Sequence, residues 1–158
     1  MATVAASLSQ ASPFVAAADL PLRSLDDLPL APVLVVAPHP DDETLGCGGA
    51  IAHLRSRGYP VRVLVVSDGT RSHPRSRQYP APRLRQVREA ETLAALALLQ
   101  VEAADVTFWG LPDGAVPAVA LPPLSADSPS ALAALAQCRA YLCRIAPQTI
   151  FLPYQFDP

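Results

Sequence analysis

The residues that most constrain the fold of this chain lie at 33–49. An apolar run, residues 33–37, ends at Pro38, and the segment His39-Pro40-Asp41-Asp42-Glu43 follows before three glycines. A short apolar run of this kind is typical of a strand buried on both faces, as in a parallel sheet. Open α/β sheets bind ligands where such strands end and helices begin. The run therefore predicts an α/β sheet with a histidine and three acids in a ligand-binding position.

Two interpretations of these polar residues are open. Imidazole and carboxylate are ligands for zinc and similar divalent ions, and a neighbouring acid is placed to accept a proton. Alternatively, Asp41 or Asp42 caps the following helix, and His39 is an ordinary turn residue. Capping needs one acid, whereas three adjacent carboxylates repel each other unless a cation or protons offset their charge. We therefore favour a metal site.

The hexapeptide Pro38 to Glu43, preceded by a strand and followed by a glycine-rich helix start, resembles the signature of the zinc-dependent PIG-L/LmbE-like deacetylases. The resemblance implies that His39 and Asp42 bind Zn²⁺ or another divalent transition metal. It also implies that Asp41 is the general base, which takes a proton from the attacking water. The implied reaction removes an acetyl group from an N-acetylated amino sugar, such as an N-acetylglucosamine conjugate.

Strand-like and helix-like segments alternate along the rest of the chain. This alternation predicts a Rossmann-like three-layer sandwich with a mainly parallel sheet. The predicted strands are 33–36, 61–66, 106–109 and 149–152, and the predicted helices are 44–57, 83–99 and 130–145.

Turns after the second and third strands hold further candidate site residues. Ser67 and Asp68 follow the second strand and should emerge at the same sheet edge as His39, because the two strands are expected to be parallel. A plain turn is equally open for them. The segment 110–114 resembles the family's Gly-Leu-Pro-Asp-Gly turn, which implies that Asp113 lines the site; otherwise it only shapes the turn.

The segment 83–99 is predicted to be a helix whose buried stripe holds Leu84, Val87, Ala94, Ala95 and Leu98, with Glu91 inside the stripe. Arg88, at the border of the stripe, is placed to pair with Glu91 three residues later. The two residues also resemble the family's Arg-x-x-Glu, which implies that Arg88 contacts substrate. In the last predicted helix, the residues at helical spacing are Leu132, Leu135, Arg139 and Leu142.

Glycines 46, 48 and 49 each weaken the first helix by about 1 kcal/mol relative to alanine. Close approach of another group to the backbone and tight helix-on-strand packing are both expected there. Residues 70–82 are predicted to form a loop over the sheet edge. Its arginines either attract an anionic group on the substrate or form a solvated surface.

A catalytic zinc site usually has three protein ligands. In the family, a His-x-x-His-like segment after the fourth strand supplies the third ligand, and this chain ends at Pro158 before such a segment. We expect that the C-terminal part of the domain is missing, the alternative being a degenerate relative of the family, and that the 158-residue chain binds zinc weakly and turns over slowly.

Length and charge bound the remaining possibilities. The chain has 158 residues and a net charge of −2, which predicts one domain and argues against a bulk nucleic-acid binder. Its three cysteines lack a paired spacing, so reduced thiols in the cytoplasm are expected. Residues 1–30 are expected to be a poorly ordered or lightly packed extension without a signal peptide, and 31–158 the deacetylase domain.

The expected partner is a small-molecule amino-sugar conjugate, with no nucleic acid and no membrane span. Two rival functions remain at this level. One is a non-catalytic sugar- or nucleotide-binding module with the same fold, although residues 46–49 lack the dinucleotide glycine spacing. The other is a metal-dependent hydrolase of another N-acyl amide.

Overall fold

The structure, a computed structural model, describes residues 24–28, 31–114 and 129–153. Its strands and helices alternate along the chain. In order they are β1 (Val33–Ala37), α1 (Asp42–Ser56), β2 (Val61–Ser67), α2 (Ala81–Leu98), β3 (Val106–Leu111), α3 (Pro129–Ile145) and β4 (Thr149–Phe151).

The four strands form one parallel sheet in the order β3-β2-β1-β4. Strand β1 lies inside the sheet, with Val33 opposite Val61 of β2 on one side and opposite Thr149 of β4 on the other. Because all four strands run the same way, their carboxyl ends meet at one edge. The predicted α/β fold with a mainly parallel sheet is confirmed.

The sheet is covered on both faces, which gives three layers. Alternate residues of β1 and β2 pack on the side of α1 and α2, where Val35 and Val63 contact the cluster that contains Ile51, Leu54 and Leu96. The intervening Leu34 and Leu64 pack with Tyr141 of α3 on the opposite face. Successive side chains of a strand point to opposite faces, so a strand that is apolar throughout needs helices on both sides.

The predicted buried stripe of α2 is wrong in its second half. The buried residues are Leu84, Thr92 and Leu96, whereas Leu98 is 86% exposed and the Glu91 side chain 59% exposed. The second half of this helix is apolar almost all round, so hydrophobic periodicity could not select a face. The observed face follows an i, i+4 spacing through 84, 88, 92 and 96, which turns Arg88 toward the end of β1.

Helix α3 leaves two of its residues at helical spacing exposed. Leu132 and Leu135 are 50% and 41% exposed, while Tyr141 is 5% exposed. Leu142 packs against the core cluster that contains Leu34, Leu64 and Tyr141. The larger aromatic ring therefore occupies the contact with the sheet, and it also meets Trp109 edge to face, with the ring centroids 5.9 Å apart.

Part of the predicted N-terminal extension is described. Residues Leu25–Asp27 form a single 3-10 turn, and Asp26 pairs with Arg57 and His53 near the end of α1. The rest of residues 1–30, residues 115–128 and residues 154–158 lie outside the described residues. No helix within the described part of the chain is long and apolar enough to cross a membrane.

Candidate active site

His39 and Asp42 face each other across the turn that joins β1 to α1. His39 Nδ1 lies 3.2 Å from Asp42 Oδ2, and the same oxygen accepts a hydrogen bond from the His39 backbone N–H at 3.0 Å. Helix α1 begins at Asp42, so this side chain folds back over the turn that precedes it. The two side chains are 52% and 39% exposed, and they are therefore reachable from solvent.

Asp41, between them, adopts a conformation that non-glycine residues rarely take. Its φ is 110° and its ψ −27°, and it precedes the first residue of α1 without a side-chain cap bond. A backbone held in such a region costs about 1–3 kcal/mol and persists only where the surroundings impose it. The capping alternative for the Asp41 side chain is therefore not what the structure shows.

The Asp41 carboxylate is held by Arg88 of α2. Arg88 Nη2 donates to Asp41 Oδ2 at 2.7 Å and to the Pro40 carbonyl oxygen at 2.6 Å. Its Nη1 donates to Glu91 at 3.2 Å, so the predicted pairing of these two residues is present. Burial by itself would lower the pKa of Arg88, but the hydrogen bond and charge of Asp41, together with Glu91, raise that pKa above its usual value.

Glu43 is buried beneath this turn. The residue is 1% exposed, and its Oε2 accepts a hydrogen bond from the Asp41 backbone N–H at 3.0 Å. Its Oε1 accepts from the Thr44 hydroxyl, also at 3.0 Å. Both carboxylate oxygens of Glu43 are thus occupied by the turn itself.

Two further turns complete the edge. The Asp68 carboxylate oxygen Oδ1 accepts hydrogen bonds from the Thr70 N–H, the Thr70 hydroxyl and the Asp113 N–H. Burial tends to raise the pKa of Asp68, but these bonds and the charge of Arg85 lower it below its usual value. Asp68 therefore ties the turn after β2 to the turn after β3.

Asp113 reaches from its turn to His39. Its Oδ1 lies 3.5 Å from His39 Nε2, on the opposite side of the imidazole from Asp42, and its Oδ2 accepts the Arg71 backbone N–H at 2.9 Å. Carboxylates commonly orient metal-binding histidines in this way, through the ring nitrogen that does not bind the metal. The structure thus places Asp113 next to His39.

Close packing holds the turns together. Gly69 has a φ of +64°, and a Cβ atom at this position would lie 3.0 Å from Cδ of the buried Pro40. Ser67 N donates to the Pro38 carbonyl oxygen at 2.9 Å, one step beyond the β1–β2 ladder. These contacts fix the backbone on either side of His39 against the end of β2.

The Ser67 hydroxyl is buried and has no hydrogen-bond partner in the described structure. Ser67 is 2% exposed and borders a cavity of about 440 Å³ that His39 and Pro153 also line. Buried hydroxyls are usually hydrogen-bonded, so this one needs a partner that the described residues do not supply.

Two further spaces meet at His39. One, of about 840 Å³, is mostly apolar and runs along α1 and β4, where Asp42, Leu45 and Phe151 line it. The other, of about 370 Å³, lies between the three turns, and mainly polar and charged residues line it; it is called the polar cavity below. Its walls are formed by His39, Pro40, Asp41, Gly69, Arg71, Ser72, Arg88 and Asp113.

The pair of His39 and Asp42 fits two ligands of a zinc ion. Zinc bonds of about 2.0–2.2 Å in tetrahedral geometry place neighbouring ligand atoms roughly 3.3 Å apart, close to the 3.2 Å between His39 Nδ1 and Asp42 Oδ2. Within the described ranges, no group of three or more His, Cys, Asp or Glu residues is arranged to hold a metal ion.

These elements define a class of protein. It has an α/β fold with a parallel sheet, and a histidine and carboxylates lie where the strands end. The chain matches the family described as PIG-L, GlcNAc-PI de-N-acetylase, over residues 34–158, and it belongs to that family.

The chain is also similar to individual proteins of known name. Two Mycobacterium enzymes (strains KMS and JLS) named 1D-myo-inositol 2-acetamido-2-deoxy-alpha-D-glucopyranoside deacetylase are 44% identical over 77 residues, which is 45% of this chain and 25% of theirs. The N,N'-diacetylchitobiose deacetylase of Pyrococcus horikoshii superposes with a TM-score of 0.59 at 24% identity, covering 78% of this chain and 42% of that one.

The same fold also serves another reaction. GalB, the 4-carboxy-2-hydroxymuconate hydratase from Pseudomonas putida KT2440, has a TM-score of 0.59 at 24% identity, covering 76% of this chain and 45% of its own. The chain spans less than half the length of each of these relatives.

The residues that the sequence predicted for the site lie at one edge of the sheet. Five of the predicted site residues come together: His39, Asp41, Asp42, Arg88 and Asp113. Ser67 and Asp68 lie at the same edge. Ser67 borders the cavity of about 440 Å³, and the Asp68 carboxylate bonds to the turns. The loop predicted over residues 70–82 covers only 70–80 in the structure, because α2 begins at Ala81.

The structure also shows what surrounds the three glycines of α1 and Cys47. A Cβ atom at Gly46 or Gly49 would meet nothing within 4 Å, and one at Gly48 would make ordinary contacts, so helix packing does not require glycine there. Cys47 packs at the margin of the core, and burial there raises the pKa of its thiol.

The sequence missed the specific use of Glu43, which it counted only as one of three acids. The capping box places such an acid three residues after the cap, whereas Glu43 stands two residues after Asp41, so that pattern does not identify this bond. The contact between Arg88 and the Pro40 carbonyl had no local signal, since 48 residues separate the two.

Proposed function

We propose that the protein is a metal-dependent hydrolase that removes the acetyl group from an N-acetylated amino sugar of the N-acetylglucosamine-conjugate type. The observation that carries the proposal is the turn after β1, where a histidine nitrogen and a carboxylate oxygen face each other at 3.2 Å beside a second, separately held carboxylate. Family membership and the names of the Mycobacterium enzymes support the amide and the amino sugar.

His39 and Asp42 would hold Zn²⁺ or a similar divalent ion. Such an ion polarises a carbonyl and makes water acidic enough to attack it at neutral pH. His39 and Asp42 would be two of the three protein ligands that a catalytic zinc site usually has. Asp113 orients the His39 ring from its far side.

Asp41 is the proposed general base. Arg88 occupies its Oδ2, while its Oδ1 has no hydrogen-bond partner among the residues described, so one oxygen is held and the other is open to accept a proton. The pair with Arg88 also fixes the direction of the open oxygen toward the polar cavity that both residues line. A positioned base typically contributes about 10²–10⁴-fold to the rate.

The polar cavity is the proposed place for the sugar. Arg88 and Asp113 present a cation and an anion in its wall, and sugar hydroxyls can bond to both. Ser67 would find the partner that its buried hydroxyl lacks in a substrate oxygen. Asp68, whose bonds are spent on Thr70 and Asp113, would act by holding these turns in place.

The protein is proposed to work in the cytoplasm. The three cysteines are free in the structure, which accords with a reducing compartment.

Acetate release and metal binding test the proposal together. The purified protein is incubated with Zn²⁺ and an N-acetylglucosamine conjugate, with an N-acyl amino acid as the competing substrate. We expect acetate from the sugar, and near-complete loss of release in Asp41→Asn with zinc binding unchanged. Release from the N-acyl amino acid alone would instead identify a hydrolase of another amide, and no zinc binding at all would favour a binding module.

A further inference from the structure

We propose that Glu43 is a positioning residue for the catalytic base. It would hold Asp41 in the conformation from which the Asp41 carboxylate works, without touching substrate or metal itself. The inference rests on the proposed function of Asp41 and adds a residue whose role neither the family match nor the resemblance assigns.

Asp41 has a backbone conformation that other groups must hold in place. Its φ of 110° is unfavourable for any residue with a Cβ atom, and the chain would leave this conformation if nothing opposed the change. Because a rotation about φ moves the side chain relative to the peptide before it, relaxation would carry the carboxylate away from its present place between His39 and Arg88.

Three separate contacts hold Asp41 in this conformation. Its carbonyl oxygen accepts hydrogen bonds from the N–H groups of Thr44 and Leu45, at 3.0 and 2.9 Å, as part of helix α1. Its carboxylate is bound by Arg88. Its N–H is bound by Glu43 at 3.0 Å, and this contact fixes the peptide on the φ side of the residue.

Glu43 is itself immobile. The residue is 1% exposed, and its second oxygen accepts the Thr44 hydroxyl, so the carboxylate cannot swing away without losing two bonds. It also lines a small cavity with Arg88 and Thr92 of α2, which places it directly behind the Asp41–Arg88 pair. The acid is therefore a buried support for the base.

The test compares Glu43→Ala with Glu43→Gln in the zinc-loaded protein. Glutamine keeps a carbonyl oxygen for the Asp41 N–H and an amide N–H for the Thr44 hydroxyl, whereas alanine keeps neither. We expect kcat for acetate release to fall about 10–100-fold in Glu43→Ala, as for a reacting group displaced by roughly 1 Å. KM and zinc affinity should stay within about twofold, and Glu43→Gln should recover most of kcat.

Ile51→Val in α1 is the matched control for stability. It removes one buried methyl group far from the turn and should leave kcat unchanged. A Glu43→Ala variant with wild-type kcat, or a Glu43→Gln variant as slow as Glu43→Ala, would overturn the inference.

A second measurement does not depend on turnover. In ¹⁵N-labelled protein, we expect the Asp41 amide proton to exchange at least about tenfold faster in Glu43→Ala than in the wild type and in Glu43→Gln. Equal exchange in all three proteins would refute the role of Glu43. Absence of acetate release from the wild type at any zinc loading would refute the proposed function instead, and amide exchange alone would then decide whether Glu43 holds Asp41.

Discussion

The conformation of Asp41 leads to a prediction about stability that inverts the usual order of alanine and glycine. We compare Asp41→Ala with Asp41→Gly. Both variants lose the same half-exposed ion pair with Arg88, worth about 0.2–1 kcal/mol, so this loss cancels in the comparison. The difference between them is the backbone alone.

Two opposing quantities set the size of that difference. At an ordinary position, glycine is less stable than alanine by about 0.5–1 kcal/mol, because it loses more backbone freedom on folding. At Asp41, with a φ of 110°, alanine retains strain of about 1–3 kcal/mol that glycine does not have. Asp41→Gly should therefore be more stable than Asp41→Ala by about 1 kcal/mol.

Urea unfolding, followed by circular dichroism, measures the difference. A change of about 1 kcal/mol should move the midpoint by roughly 0.5 M urea if the slopes are equal. Ala52 is the control, because it is exposed in the middle of α1, where Ala52→Gly should be less stable than wild type by about 0.5–1 kcal/mol. If Asp41→Ala proves as stable as Asp41→Gly or more so, the backbone strain described here is not present in solution.

Two further predictions concern the turns that carry the site. Because the folded-state pKa of Asp68 is lowered, its contribution to stability is present above the unfolded-state pKa of about 3.9 and is lost as pH falls through the lower folded-state pKa. The difference in unfolding free energy between wild type and Asp68→Asn, measured without metal, should hold steady above about pH 5 and shrink below about pH 4; a difference that grows with acid would contradict this. Gly110→Ala should cost about 1–2 kcal/mol for its φ of +61°, and more while the Arg85 guanidinium occupies the space of the new methyl group. In an Arg85→Ala background, the cost of Gly110→Ala should therefore fall, and an unchanged cost would show that Arg85 is not packed there.

The parts of the fold that the sequence predicted are those with a local cause. Strand β1 is an uninterrupted apolar run, and its parallel pairing with β2 follows from the same pattern and from the βαβ connection. The placement of His39 and Asp42 at the strand end follows as well, because the polar residues begin where the apolar run stops.

What the sequence could not predict depends on contacts between distant segments. The facing of α2 is set by Leu96 in the core and by the reach of Arg88 to Pro40, and neither is visible in a helix that is apolar on most sides. The reach of Asp113 to His39 depends on how two turns meet across the sheet edge. The conformation of Asp41 results from its surroundings, since aspartate by itself does not favour a φ of 110°.

The empty space around Gly49 has a practical consequence. This residue is exposed on α1, and a Cβ atom added there would meet no atom of the described residues within 4 Å apart from its own helix backbone. A cysteine at position 49 could therefore carry a fluorescent dye on a rigid helix that begins at the metal-binding turn. Such a reporter would follow the arrival of zinc or substrate by light emission, in a protein whose core and turns are left as they are.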